Sequence, residues 1–160
     1  PILMAATDRG VCFAQFGDSC EQLLQQLRQE FPRAELNQFN DDCSQRLDHW
    51  IDALNAYIQK KQPRPELPLD LRGTAFQIKV WEFLLSLDDG DVMSYAELAR
   101  AIDKPGAARA AASACGANRI AVLVPCHRIL RGDGGLGGYR WGFERKRALL
   151  DAERARKSKS

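Results

Sequence analysis

Histidine is scarce in this chain: His49 and His127 are the only two in 160 residues, and no Cys-x-x-C pair occurs. Structural zinc sites draw on closely spaced cysteines and histidines, so no metal centre is expected; no cofactor is expected either. The five cysteines, Cys12, Cys20, Cys43, Cys115 and Cys126, are odd in number and irregular in spacing. That pattern excludes the even framework of a small secreted disulfide scaffold and points to a reducing, cytoplasmic setting. Long apolar runs are missing as well. None approaches the roughly 20 residues a bilayer-crossing helix needs, so no membrane partner is expected. A charged-then-apolar leader is absent too. The chain opens Pro1-Ile2-Leu3-Met4, inside a predicted strand, as an excised or processed piece of a longer protein would.

What is present is a 45% apolar content, sufficient for a core, and a length that suits one domain or two small units. The net charge of +2 conceals an uneven distribution. Residues 1–70 hold 7 Lys+Arg against 11 Asp+Glu, a net of −4, whereas residues 71–160 hold 16 against 10, a net of +6. The change falls at Gln62-Pro63-Arg64-Pro65-Glu66-Leu67-Pro68, which reads as an extended linker between units 1–70 and 71–160. A basic second unit points to a polyanion partner; an ordinary solvated surface is the other reading of the same asymmetry.

In the first unit, residues 2–6 and 11–16 flank Asp8-Arg9-Gly10 and predict a β-hairpin. Asp18 or Ser19 is suited to cap a helix running to Phe31, with Leu23, Leu24 and Leu27 on one face. A second helix is expected from Cys43 to Lys60, presenting Leu47, Trp50, Ile51, Leu54 and Ile58. His49 reads as a helix-surface residue, and Cys12, Cys20 and Cys43 as packing residues. The second unit opens with a predicted helix from Thr74 to Leu87. Ser94-Tyr95-Ala96-Glu97 has the form of a capping box and starts a helix to Ile102. Lys104-Pro105-Gly106 makes a turn into a further helix, Ala107 to Ala117, giving the outline of a helix-turn-helix. That last helix is small-sided, with Arg109 projecting alone; a close approach to another surface and tight core packing both fit it.

The chemistry concentrates after an apolar run, Ile120 to Val124, which reads as a strand leading into Pro125-Cys126-His127-Arg128. A thiol becomes nucleophilic as the thiolate, which a neighbouring base or cation promotes. A buried structural cysteine beside a basic surface pair remains the alternative. The following segment, Gly132 to Tyr139, has five glycines in seven positions and permits close backbone approach to a ligand. It lacks the strand–helix context of a phosphate-binding loop. A final helix is expected from Phe143 to Arg156, with Leu149 and Leu150 inward, Glu153 returning toward Cys126, and Arg154 to Ser160 frayed.

Together these segments resemble the O6-alkylguanine-DNA alkyltransferases. The matching elements are Arg72-Gly73-Thr74-Ala75-Phe76-Gln77 with Val80-Trp81, Ser94-Tyr95, Leu98-Ala99, Ala108-Arg109-Ala110, Asn118, Pro125-Cys126-His127-Arg128 and Gly138-Tyr139-Arg140-Trp141-Gly142. The resemblance covers nearly all of the second unit and only loosely the first. It is nearest to bacterial members in which an N-terminal regulatory region precedes the alkyltransferase portion. It implies an α+β fold, with a small ribonuclease H-like α/β subdomain over 1–70 and a winged-helix, helix-turn-helix domain over 71–160. It implies a monomer that repairs double-stranded DNA containing O6-alkylguanine, and O4-alkylthymine, by irreversible transfer of the alkyl group to a cysteine.

By that resemblance Cys126 is the acceptor, His127 the base acting through a water, Glu153 its orienter, and Asn118 the tie between recognition helix and active-site turn. Tyr95 assists nucleotide rotation and protonates the leaving base. Arg109, Ala110, Tyr95 and Arg128 meet DNA, with Arg109 filling the gap left by the flipped nucleotide. Cys115, Val124, Ile129, Leu136, Tyr139 and Trp141 form the pocket, and Trp141 at its rim favours methyl over benzyl groups. The alternatives are a lesion binder of the same fold that does not transfer, a redox-sensing helix-turn-helix regulator, and a cysteine hydrolase.

Overall fold

A computed structural model describes residues 1–36, 41–59, 64–133 and 135–159, with side chains outside 41–46 and 157–159. The chain forms two compact units, Pro1–Leu71 and Arg72–Ser160. It is a mixed α/β protein with small sheets.

In the first unit, β1 (Ile2–Thr7) pairs antiparallel with β2 (Gly10–Phe16). Ala5 faces Phe13 and Ala6 faces Val11, so Cys12 is the extra residue of a bulge. Gly10 closes the turn at φ 140°, where a Cβ would lie 2.4 Å from Pro68 O. Only glycine accepts both conditions. The end of the expected linker is therefore part of this unit: Val11 N donates to Pro68 O at 2.9 Å, and Asp70 N donates to Val11 O at 2.8 Å. Gln62 and Pro63 of that segment, like Lys60 of the second predicted helix, lie outside the described residues.

Ser19 caps α1 (Cys20–Glu30) by accepting from Gln22 N at 3.1 Å. Leu27 packs with Cys12 and Phe13, against Leu3, Ala5 and Phe31. Leu24, expected on the same face, is exposed, because one residue turns a helix by about 100° away from the Leu23–Leu27 stripe. Cys20, expected to pack, is exposed at the first position of the helix. α2 (Asp41–Ile58) buries Trp50, Leu54 and also Tyr57, which the aliphatic pattern had not singled out, while His49 faces solvent.

In the second unit, α3 (Ala75–Leu84) opens with a capping box: Gln77 N donates to the Thr74 hydroxyl and Thr74 N to the Gln77 amide oxygen. It stops three residues short of the expected Leu87, and turns carry the chain onward. Trp81 Nε1 donates to Ala114 O at 2.9 Å and ties α3 to α5 (Ala108–Gly116). β3 (Met93–Ser94) leads into α4 (Tyr95–Ala101), whose capping box is the expected Ser94–Glu97 pair. Asp103, at φ 61°, turns the chain toward α5, which packs on both α3 and α4. β3 pairs in parallel with β4 (Ile129–Leu130). The last helix, α6 (Phe143–Lys159), keeps helical backbone through Arg154 and beyond, where fraying was expected.

One element differs in kind. Ile120 to Val124 is a buried turn and no strand: Leu123 N donates to Ala121 O, Val124 N donates to Ile120 O, and Val122 sits at φ 69°. A β-branched residue is strained there. A short apolar run reports burial but does not distinguish a strand from a packed turn.

Candidate active site

Cys126, His127 and Arg128 form a single 3₁₀ turn behind Pro125. Successive residues of such a turn point about 120° apart. Three adjacent side chains therefore serve different purposes: Cys126 lines a cavity, while His127 and Arg128 meet Glu153 of α6.

Asn118 holds the turn that leads into this segment. Its Oδ1 accepts from Ile120 N at 2.9 Å, and its Nδ2 donates to Ile120 O at 3.2 Å and Val124 O at 3.0 Å. Its backbone N–H donates to Cys115 O at 3.3 Å. One buried residue, through its backbone and its side chain, thus ties the end of α5 to the residue two before Cys126, and these bonds hold the strained turn at Val122.

Glu153 is almost completely buried, and three groups satisfy it. Oε1 lies 2.6 Å from His127 Nε2 and 3.0 Å from an Arg128 terminal nitrogen, and Arg128 Nε donates to Oε2 at 3.0 Å. Arg128 also donates to Leu87 O and, at 2.9 Å, to Asp89 Oδ1, which pairs on its other oxygen with Arg156. At 1% exposure Arg128 is not available to DNA, contrary to expectation; its guanidinium is consumed by the interior. Burial would raise the Glu153 carboxyl, but the hydrogen bonds of His127 and Arg128 and the guanidinium charge overcome it and carry it down to about 2. Glu153 is a carboxylate and accepts only, so His127 carries its proton on Nε2. Nδ1 is then the free basic nitrogen, buried and without a hydrogen-bond partner among the described residues.

Burial pushes the Cys126 thiol well above its ordinary range, and Cys115 beside it adds to the rise; Asn118 and the Lys146 ammonium oppose it. Burial lowers His127, with Arg128 and Lys146 adding to the effect against Glu153. Thiol and imidazole are therefore both neutral at rest. Burial and the two thiols raise Tyr95 to about 12, so its phenol keeps its proton.

The cavity measures about 330 Å³, and Tyr95, Cys115, Cys126 and Tyr139 lie in its wall with Ala112, Gly116, Arg131, Gly137, Gly138 and Arg140. Of the expected pocket residues, Cys115 and Tyr139 line it. Val124 and Ile129 are fully buried behind it, and their carbonyls serve Asn118 and Lys146. Leu136 is half-buried outside the lining. Trp141 stands behind Tyr139, edge-on at 5.2 Å, so the rim argument for excluding benzyl groups loses its basis. Arg109 and Ala110 are exposed on α5, and Ala111, Ala114 and Cys115 form its buried face.

Lys146 went unread in the sequence. It is fully buried, donates to Ile129 O at 2.6 Å and Gly138 O at 3.1 Å, and lies 6.0 Å from the centre of the Tyr95 ring. Burial lowers it to about 8, while Cys115 and Cys126 act the other way. Its signal was its spacing: it stands two helical turns before Glu153, on the same face of α6. Among the described residues no three His, Cys, Asp or Glu side chains are grouped to hold a metal, and no helix is long and apolar enough to cross a membrane.

Residues 75–155 match the family model described as 6-O-methylguanine DNA methyltransferase, DNA binding domain. The chain belongs to the 6-O-methylguanine DNA methyltransferase family. It is 45% identical, over 94% of its length, to the bifunctional transcriptional activator/DNA repair enzyme Ada of Escherichia coli, and spans 42% of that protein. It is 35% identical to a Mycobacterium tuberculosis OGT variant of known structure, covering 98% of this chain and 87% of that one, with a TM-score of 0.71. An OGT from the same organism solved in complex with DNA is 49% identical and covers 66% of this chain and 65% of that one, with a TM-score of 0.64.

Proposed function

We propose that this chain repairs DNA by moving an alkyl group, methyl above all, from O6 of guanine to Cys126, once per molecule. The same displacement would serve O4 of thymine. The observation that carries this reading is an arrangement of three groups: the Cys126 thiol in the cavity wall, the next residue His127 with its Nδ1 unpaired, and Glu153 at 2.6 Å from His127 Nε2. This is a nucleophile, base and orienter in order. His127 takes the thiol proton through a water, and Glu153 stabilises the imidazolium. Sγ then attacks the methyl carbon as the O6–C bond breaks, and that electron pair stays with guanine. Tyr95, which retains its proton, donates it to the leaving base, and the proton on His127 returns to the phenol. The products are S-methylcysteine and guanine.

The target atom is hidden within a duplex, so the nucleotide must rotate out. We assign α4, the turn through Pro105 and α5 to a helix-turn-helix of a winged-helix domain, residues 71–160, and residues 1–70 to a ribonuclease H-like subdomain. The exposed Ala110 suits close approach of α5 to a minor groove, and Arg109 beside it suits the vacated stack. The related OGT solved with DNA supports this partner. The protein acts as a monomer in the bacterial cytoplasm. A lesion binder that does not transfer is not favoured, because the acceptor thiol is present.

Two variants test the reading. Cys126→Ala should bind an O6-methylguanine duplex and take up no radiolabelled methyl; label on that variant would make another residue the acceptor. Arg109→Ala should lose about tenfold or more in transfer from duplex, because filling the gap offsets part of an unstacking cost of a few kcal/mol. Its loss on the free base should be much smaller, and equal losses on both substrates would rule out stack filling.

A further inference from the structure

Two arginines line the cavity, Arg131 and Arg140. Arg140 is engaged: it donates to Asn118 O at 2.9 Å and lies 5.6 Å from the centre of the Trp141 ring. Arg131 differs. Its side chain is 62% exposed, and it pairs at 3.0 Å with Asp133, itself 61% exposed. Such a surface pair adds little to stability, because water screens both charges. Its position is nevertheless well defined. Arg131 N donates to Gly135 O at 2.9 Å, and the stem runs along two glycines: a Cβ on Gly137 would lie 3.1 Å from Arg131 Cγ, and one on Gly135 3.6 Å from Cδ. Gly137 also has φ 71°. Tyr95 borders the same glycine, since that Cβ would lie 3.4 Å from its Cε2. The phenol assigned to the leaving base and the Arg131 stem therefore share one patch of cavity wall.

We propose that Arg131 clamps a DNA phosphate flanking the extruded nucleotide, and that Asp133 occupies the guanidinium until the phosphate displaces it. This rests on the alkyl-transfer reading. A base seated between Cys126 and Tyr95 brings its sugar and flanking phosphates to the cavity mouth. Phosphates remain charged and do not follow the base into a buried wall. At the mouth they meet a guanidinium, whose paired N–H groups match phosphate oxygens. Asp133 offers the same geometry with a weaker anion, and Gly135 N, donating to its Oδ1 at 2.9 Å, keeps it within the loop. Retreat of Asp133 leaves Arg131 to the phosphate and releases counterions from the DNA.

The test measures binding to an O6-methylguanine duplex across a salt series in a Cys126→Ala background, with transfer from duplex and from free O6-methylguanine measured in the Cys126 protein. Arg131→Ala should weaken binding and reduce the steepness of the salt dependence by about 1. Arg131→Lys should keep that steepness. Asp133→Asn, which retains the acceptor for Gly135 N, should tighten binding. Arg131→Ala should reduce transfer from duplex much more than from free base. An unchanged salt dependence, or equal losses on the two substrates, would overturn the clamp and make Arg131 a packing residue of the loop. Failure of the unsubstituted protein to alkylate Cys126 would overturn the alkyl-transfer reading and the clamp together. Normal alkylation with an Arg131→Ala variant indistinguishable from it would overturn the clamp alone.

Discussion

Cys126 is a weak nucleophile at rest, because burial holds it as a thiol while burial also keeps His127 neutral. In the proposed mechanism the reactive ion pair forms only when the proton moves from one to the other within the site. This sets the pH dependence. Between the lowered value of His127 and the raised value of Cys126, the pair holds a single shared proton, so the rate does not change with pH. Acid fills His127 Nδ1 and removes the base, and the midpoint of that loss lies below the ordinary histidine value of about 6.5. Single-turnover transfer from free O6-methylguanine should therefore be flat above neutrality and fall in acid with a midpoint below 6.5. A midpoint at or above 6.5 would mean that His127 is not the buried base. Free base is the appropriate substrate, because it separates this titration from DNA binding. The pairing of Cys126 and His127, a thiol beside a base, was legible in the sequence. The role of Arg128 was not: an arginine next to the nucleophile reads as a surface cation until the carboxylate of Glu153, 25 residues later, draws it inward.

At the scale of elements, local chemistry was the most legible. Ser19 and the Ser94–Glu97 pair announce helix starts through bonds made within one turn of chain. Ser94→Ala should cost about 1 kcal/mol of stability, the usual worth of an N-cap hydroxyl, read as a lower unfolding midpoint in thermal or urea melts. No change would mean that packing against α5 holds α4 without its cap. What could not be read is set by partners distant in sequence. Ile120 to Val124 carries the composition of a strand, yet Asn118 spends three hydrogen bonds bending it into a turn. Lys146 has the composition of a helix surface, yet two carbonyls draw it inside. Pocket membership was legible only in part for the same reason: Cys115 and Tyr139 line the wall, but the apolar Val124 and Ile129 near Cys126 in sequence do not, and glycines and arginines of the loop complete it.

At the scale of the whole molecule, the negative charge belongs to one compact unit and the positive charge to the unit that holds the cavity, α5 and Arg131. Fields of that sign favour DNA as a partner and make its binding salt-dependent, without themselves selecting a damaged base. In the proposed function selection belongs to the cavity and its thiol, and the most direct measurement addresses that thiol. The protein is mixed once with an O6-methylguanine duplex in excess, and intact and peptide mass spectra are recorded. One methyl group per molecule, located on Cys126 and not increasing with time, is the expected result. An unmodified protein, methyl on another residue, or continuing turnover of the duplex would contradict the assignment of Cys126 as a single-use acceptor.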